Sequence, residues 1–185
     1  LAGCEAAPKV PRIAPAKRLQ GDSMGHYAIA GGSRGIGLAI SKKLGAQGHT
    51  VLVLSREPGE IASIEGVQHM VYDFVGRDEI PSDTLTRPLD GIVYCPGSID
   101  LAPVHRLKPE AMRAAFEINC VSAIRFLQAA LPGLQASTAR TASVVFLSTV
   151  AVARGLAMHT AIAAAKGALE AVARTLAAEL APKIR

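Results

Sequence analysis

The chain has no tryptophan, and aromatic residues make up only 4% of it. A platform of stacked rings for single-stranded nucleic acid is therefore not expected. Cysteine is scarce: Cys4, Cys95 and Cys120 are odd in number and far apart. That argues against a disulfide framework and against a metal site, and for a reducing compartment, with the cytoplasm as the expected location. No uninterrupted apolar run is long enough to cross a bilayer, so no membrane partner is expected. Dense runs of one charge are also missing. The excess of 20 Lys and Arg over 15 Asp and Glu gives a net charge of +5. Because the basic residues are scattered, this balance fits a protein that handles phosphate groups better than one that grips nucleic acid.

Half of the 185 residues are apolar and 19% are charged, enough for one globular domain with a sizeable core. Residues 1–23, with three prolines, four basic residues and no periodicity, stand apart as a leader or extension outside that core. Glu5 and Asp22 weaken a transit-peptide reading, and the apolar stretch of a secretory signal is missing. Organised sequence begins after Met24, and a single domain is expected over 24–185.

From there strand-like and helix-like segments alternate. "HYAIAGG" is a short apolar strand, and "IGLAISKKLGAQG" sets Ile36, Ile40 and Leu44 on one helical face with Gly48 as a C-terminal stop. "TVLVLS", "VQHMVYD", "GIVYCPG" and "SVVFLST" read as strands buried on both faces. A long amphipathic helix is expected after Pro109, with Phe116, Cys120, Ile124, Leu127 and Leu131 at helical spacing, and an alanine-rich helix from His159 to Leu180. Such alternation predicts a doubly wound parallel sheet, Rossmann-like, covered by helices on both faces (three layers, α/β/α). The sequence ends "LAPKIR" directly after a helix, where such a sheet would continue into another strand, so a C-terminal continuation is expected.

The first strand runs into "AGGSRGIG", whose Gly31, Gly35 and Gly37 are spaced G-x-x-x-G-x-G. Glycines there allow a tight turn and a close approach of backbone to a pyrophosphate, and the following helix N-terminus offers free N–H groups to the anion. An NAD site usually carries Asp or Glu at the end of the second strand, for the ribose 2′-hydroxyl. Here that strand ends in Ser55 and Arg56, with Arg34 inside the loop and Glu57 one residue late. Two guanidinium groups suit a 2′-phosphate. The expected cofactor is NADP(H) rather than NAD.

These motifs resemble those of the short-chain dehydrogenases/reductases, over Tyr27 to Arg185. The loop is similar to the family's T-G-x-x-x-G-x-G, with Ala30 in the threonine place; "YCPG" (Tyr94–Gly97) stands where the family has N-N-A-G; Asn119 in "FEINCVSA" and Lys166 match the family's helix asparagine and active-site lysine. The resemblance implies cofactor contacts from Gly31, Ser33, Arg34, Gly35, Ile36, Gly37, Ser55, Arg56, Asp73 and Phe74, and from Gly97 and Lys166. Asp73 takes the place of the aspartate that meets the adenine. It also implies a homodimer or homotetramer paired through the two long helices, and a small-molecule substrate.

In the family a serine and a tyrosine polarise a substrate carbonyl, and the lysine four residues beyond the tyrosine holds the nicotinamide ribose and lowers the tyrosine's pKa. Thr149 stands at the serine position, with Ser148 the neighbour if the register shifts by one. The tyrosine position holds Ile162, which has no proton to give. The candidate catalytic set is therefore Lys166, Thr149, Asn119 and, as an alternative donor three residues before Ile162, His159. Two functions are compatible with this set. One is an NADP(H)-dependent oxidoreductase with an atypical proton donor. The other is a non-catalytic NADP(H)-binding protein, a sensor or an inactive subunit.

Overall fold

The computed structural model describes residues 24–76, 79–81 and 83–185, so the expected leader over 1–23 lies outside the described residues. Five strands, β1 (His26–Ala30), β2 (Thr50–Ser55), β3 (Val67–Val71), β4 (Gly91–Tyr94) and β5 (Ser143–Phe146), form one sheet in the order β3-β2-β1-β4-β5. Every neighbouring pair is parallel. Parallel neighbours need crossover connections. Among them are α1 (Gly35–Ala46) between β1 and β2, and the helix running through α2 (Pro109–Phe116) and α3 (Ser122–Gln135) between β4 and β5. The short α4 (Val150–Ala153) and the long α5 (Thr160–Leu180) follow. This is the doubly wound sheet expected from the sequence.

Alternation along each strand sorts the core into two layers. Ile29, Val51, Val53 and Val93 point to one side, where Leu38, Ile40 and Leu44 of α1 pack on them. Ala28, Ala30, Leu54, Ile92 and Tyr94 point to the other, against Phe126, Leu127, Ala130 and Leu134 of α3 and Leu169 of α5. Small residues on β1 let these helices come close, while Phe74, Tyr94 and Phe126 stack edge-on at 5.4 and 5.8 Å from Phe74.

Position in the sheet decides burial. β2 and β4 are buried, as the sequence predicts. β3 and β5 are not, because they are the two edges: Val71 is 71% exposed and Val145 is 43% exposed. The apolar run that marks a buried strand also marks an edge strand, so composition alone does not separate them. Ile36 departs from its expected face as well. It is 62% exposed at the start of α1, while Ile40 and Leu44 pack inward. Gly48, at φ 79°, follows the C-cap Gln47 and ends α1 as expected.

The helix after Pro109 is continuous to Gln135, but residues Glu117–Val121 form a π turn within it. By length and composition this helix is apolar enough to cross a membrane, with a mean hydropathy of 1.2 over its best window. It is still not an uninterrupted apolar run, because Asn119, Ser122, Arg125 and Gln128 break it. Half of that window is buried inside the fold, with Phe126, Leu127 and Leu134 against the sheet, so its apolar content is that of a core helix. α5 starts at Thr160, and His159 is its N-cap rather than its first turn. Beyond α5, Ile184 bridges Ala142 in parallel beside β5.

Candidate functional site

Strand order reverses direction at β1, between β2 on one side and β4 on the other, and ligands of such sheets sit at the carboxyl ends of the strands there. A cavity of about 600 Å³ occupies that place, within the range of nucleotide-sized sites. The loop after β1 forms its floor. Gly31 and Gly35 have φ of 69° and 53°, which only glycine adopts without strain. At Gly37 a Cβ would lie 2.3 Å from the Gly31 carbonyl oxygen, so the turn closes only on a bare backbone. At Gly35 a Cβ would meet nothing within 4 Å, because that residue faces the open cavity. The first bond of α1 is Leu38 N–H to Arg34 O. The N–H groups of Gly35, Ile36 and Gly37 thus precede the helix ladder, and no acidic side chain lies in that first turn. This is an anion cradle of the kind a pyrophosphate fills.

Gly31, Ser33, Arg34, Gly35, Ile36 and Gly37 all line the cavity, together with Ser55, Arg56, Asp73, Phe74 and Gly97. Of the residues expected to meet the cofactor, only Lys166 is outside this lining. Arg34 and Arg56 are both exposed on it. Ser55 lines the cavity, but it donates its proton to Glu57 O at 2.9 Å. Asp73 lies two residues past the end of β3 rather than in the strand, and its Oδ1 accepts from Val75 N–H at 3.0 Å. The Phe74 ring is buried in the aromatic cluster, and its carbonyl accepts from Ser122 Oγ at 2.8 Å. Pro96, whose ring would meet a Gly31 Cβ at 3.2 Å, packs the loop after β4 directly onto the phosphate loop.

Of the remaining candidates, Asn119 and Lys166 come together beside Gly97. A Cβ on that glycine would come within 2.7 Å of Asn119 Oδ1 and 3.9 Å of Lys166 Nζ, so Gly97 is what lets the two side chains meet the β4 loop. Asn119 is fully buried on the π turn and donates from Nδ2 to Ser98 O and Ala115 O, both at 3.0 Å. Its Oδ1 has no partner among the described residues, an orphaned buried acceptor of the kind that holds a water or a ligand. π turns concentrate at such sites. Lys166 is buried and, among the described residues, its ammonium has no hydrogen-bond or ion-pair partner. Burial lowers its pKa, against the opposing pull of Cys120 and Cys95 nearby. Burial pushes the Cys95 thiol up to about 11 and raises the Cys120 thiol as well, with Lys166 opposing both shifts.

Thr149 caps α4, where its Oγ1 accepts from Ala151 N–H at 3.3 Å. That leaves its own proton to donate. Ser148 gives its proton to Glu170 Oε1 at 2.5 Å, so of the two adjacent hydroxyls Thr149 is the one with a free proton. Ile162 is buried at 4% exposure. The His159 ring is held by Nδ1 against Ala157 O at 2.7 Å. A carbonyl only accepts, so Nδ1 carries the proton and Nε2 donates only from the imidazolium. Sequence reasoning missed Tyr72, Val75, Cys95, Ser98, Glu117 and Leu147 in the cavity lining. Glu117 is the first residue of the π turn, and it is neutralised by Arg125 at 2.5 Å.

Comparison with known proteins agrees with this geometry. The family model described as short chain dehydrogenase matches residues 26–185. The 3-oxoacyl-(acyl-carrier-protein) reductase MabA of Mycobacterium tuberculosis is 30% identical over 154 residues, covering 82% of this chain and 62% of that protein. L-xylulose reductase of Bos taurus is 31% identical over 164 residues, covering 85% and 66%. The chain thus spans a little under two thirds of the length of these relatives. Among solved structures, a short-chain dehydrogenase from Streptomyces avermitilis superposes with a TM-score of 0.78 at 26% identity, over 88% of this chain and 64% of that one.

Proposed function

Because the chain belongs to the short-chain dehydrogenase family, we propose that it forms the cofactor-binding part of an NADP(H)-dependent oxidoreductase acting on a carbonyl or alcohol, with a proton donor other than a tyrosine. The observation that carries the reading is the cavity rim. Arg56 lines it just past the end of β2, where an NAD site would place a carboxylate, and Arg34 lines it from the glycine loop after β1. The relatives are named as reductases of a 3-oxoacyl group and of L-xylulose, which supports a ketone-type substrate.

In this reading each side chain has a defined task. The amides of Gly35, Ile36 and Gly37 hold the pyrophosphate, Arg34 and Arg56 the 2′-phosphate, and Asp73 the adenine amine. Lys166 would hold the ribose next to the reacting ring, and a nicotinamide bound there would supply the hydride. The free proton of Thr149 polarises the substrate oxygen. Asn119 Oδ1 keeps a water beside Lys166 through which a proton reaches the developing alkoxide. Protonated His159 is the alternative donor. The exposed apolar residues Phe116 and Val121 on the long helix support pairing of two copies through that helix. The free thiols of Cys95 and Cys120 fit a reducing, cytoplasmic setting.

The buried Ile162 favours a second reading, a non-catalytic NADP(H)-binding protein. Turnover separates the two. NADPH and NADH are titrated first, by nucleotide fluorescence, and then a panel of ketones and aldehydes is run with NADPH on wild type, Lys166→Ala and His159→Ala. Oxidoreductase activity predicts NADPH consumption lost in Lys166→Ala. Tight NADPH binding with no turnover, and activity appearing only in Ile162→Tyr, would overturn the enzyme reading. NADH binding as tightly as NADPH would overturn the cofactor assignment.

A further inference from the structure

β3 places a side chain behind Ser55 of the cavity lining that no residue pattern announces. His69 sits half-buried on β3, in register with Val53 of β2. Its Nε2 lies 3.0 Å from Ser55 Oγ and 3.0 Å from Ser55 O. The single hydroxyl proton of Ser55 is already given to Glu57 O, so toward His69 both oxygens of Ser55 are acceptors. Nε2 must therefore carry the proton and share it between them. The Ser55 carbonyl also accepts from Tyr72 N–H at 3.1 Å.

These bonds converge on the turn that presents Arg56 to the cavity. At its far end the turn is fixed again. Gly59, at φ 55°, brings its backbone against Ser33 O, where a Cβ would lie 3.2 Å away. Glu60 then pairs with Lys42 of α1 at 2.6 Å. The segment from Ser55 to Glu60 is thus pinned at both ends, with Arg56 between the pins. An arginine on a fixed turn loses less freedom when it grips an anion than one on a loose turn.

We propose that His69 is a positioning residue for the 2′-phosphate, holding the Ser55–Glu57 turn so that Arg56 meets that group and the chain selects NADP(H) over NAD. The inference rests on the NADP(H) reading above. Ser55 changes its role accordingly, from a direct ligand to the link between His69 and the turn. The phosphate loop from Gly31 to Gly37 has its own supports, Ser41 Oγ to Gly32 O and Gly37 O, so the pyrophosphate site does not depend on His69.

The test compares NADPH with NADH by fluorescence titration on wild type, His69→Leu, His69→Gln and Ser55→Ala. His69→Leu removes the donor, and NADPH affinity should fall by roughly 3- to 10-fold, the worth of one net hydrogen bond, with NADH affinity unchanged. His69→Gln keeps an amide N–H near the Nε2 position and should retain the wild-type preference. Ser55→Ala removes the hydroxyl acceptor and leaves the carbonyl one, so it should show a smaller selective loss in the same direction, and a folding failure of His69→Leu leaves the test intact. Equal weakening of both nucleotides would mean a merely structural histidine. An NADPH preference that survives both His69→Leu and Ser55→Ala sinks the assignment of His69 while leaving the NADP(H) reading in place. A wild type that does not prefer NADPH removes both.

Discussion

The two regions of the candidate site are built by opposite means. In the cavity, the proposed phosphate end, almost everything is backbone: bare glycines and the free N–H groups of a helix N-terminus, with charge from Arg34 and Arg56. At the proposed reaction end, outside the cavity lining, everything is side chain: Thr149, Asn119, Lys166 and the apolar Ile162. Backbone sites tolerate change in the residues around them but not in the glycines. Side-chain sites lose a function with one substitution. The reaction end has the incomplete set, so the largest expected effect lies there. Ile162→Tyr, on a ketone panel with NADPH, should raise kcat by about 10²–10⁴-fold, the usual contribution of a placed general acid. An unchanged kcat would show that proton donation is not what limits this end.

The phosphate end is broken most sharply at Gly37. Gly37→Ala puts a methyl 2.3 Å from the Gly31 carbonyl, backbone against backbone, which cannot relax cheaply. It should cost about 1–3 kcal/mol of stability and weaken both nucleotides by roughly 100-fold, read by melting and by titration. Gly35→Ala has free space but a φ of 53°, so it carries only a strain cost of about 1–2 kcal/mol. If the two variants bind nucleotide equally well, close approach is not what Gly37 provides. A smaller and more selective effect is expected at the rim. Arg56→Ala should weaken NADPH by roughly 10-fold or more, as loss of a charge-assisted bond does, and leave NADH unaffected. Equal effects on both would place the 2′-phosphate elsewhere.

The same contrast explains what the sequence makes legible. The glycine spacing, the strand before it and the helix after it are local, so the cradle is readable residue by residue. The parallel pairing follows from the alternation of elements, whereas the strand order comes from the structure. What stays hidden depends on neighbours distant in sequence. β3 and β5 look buried because their side chains are apolar, yet they are edges. The π turn at Asn119 leaves no mark in the helical spacing around it. His69 reads as one more residue of an apolar strand until β2 is placed beside it. Ile162 is the converse case. The family pattern exposes the substitution at once, whereas the geometry shows only a well-packed apolar side chain.

Lys166 gives the finest test of the comparison, because its burial works against stability and is accounted for only by the proposed chemistry. Burial lowers its pKa from 10.5, and among the described residues no anion offsets the desolvation of its charge. In the unfolded chain the lysine binds its proton more tightly than in the fold. The native state is therefore penalised wherever the unfolded lysine is charged, and the penalty fades as pH rises from the folded pKa toward 10.5. Lys166→Met keeps the length of the side chain and removes the charge. It should stabilise the protein by about 0.5–2 kcal/mol at pH 7, with the advantage over wild type shrinking by pH 10, measured by urea unfolding across that range. The same variant should lose NADPH affinity if Lys166 holds the cofactor. A Lys166→Met protein less stable than wild type, or a stability difference that does not change with pH, would mean that the buried ammonium is supported by its surroundings and that the reaction end is less costly to the fold than its chemistry implies.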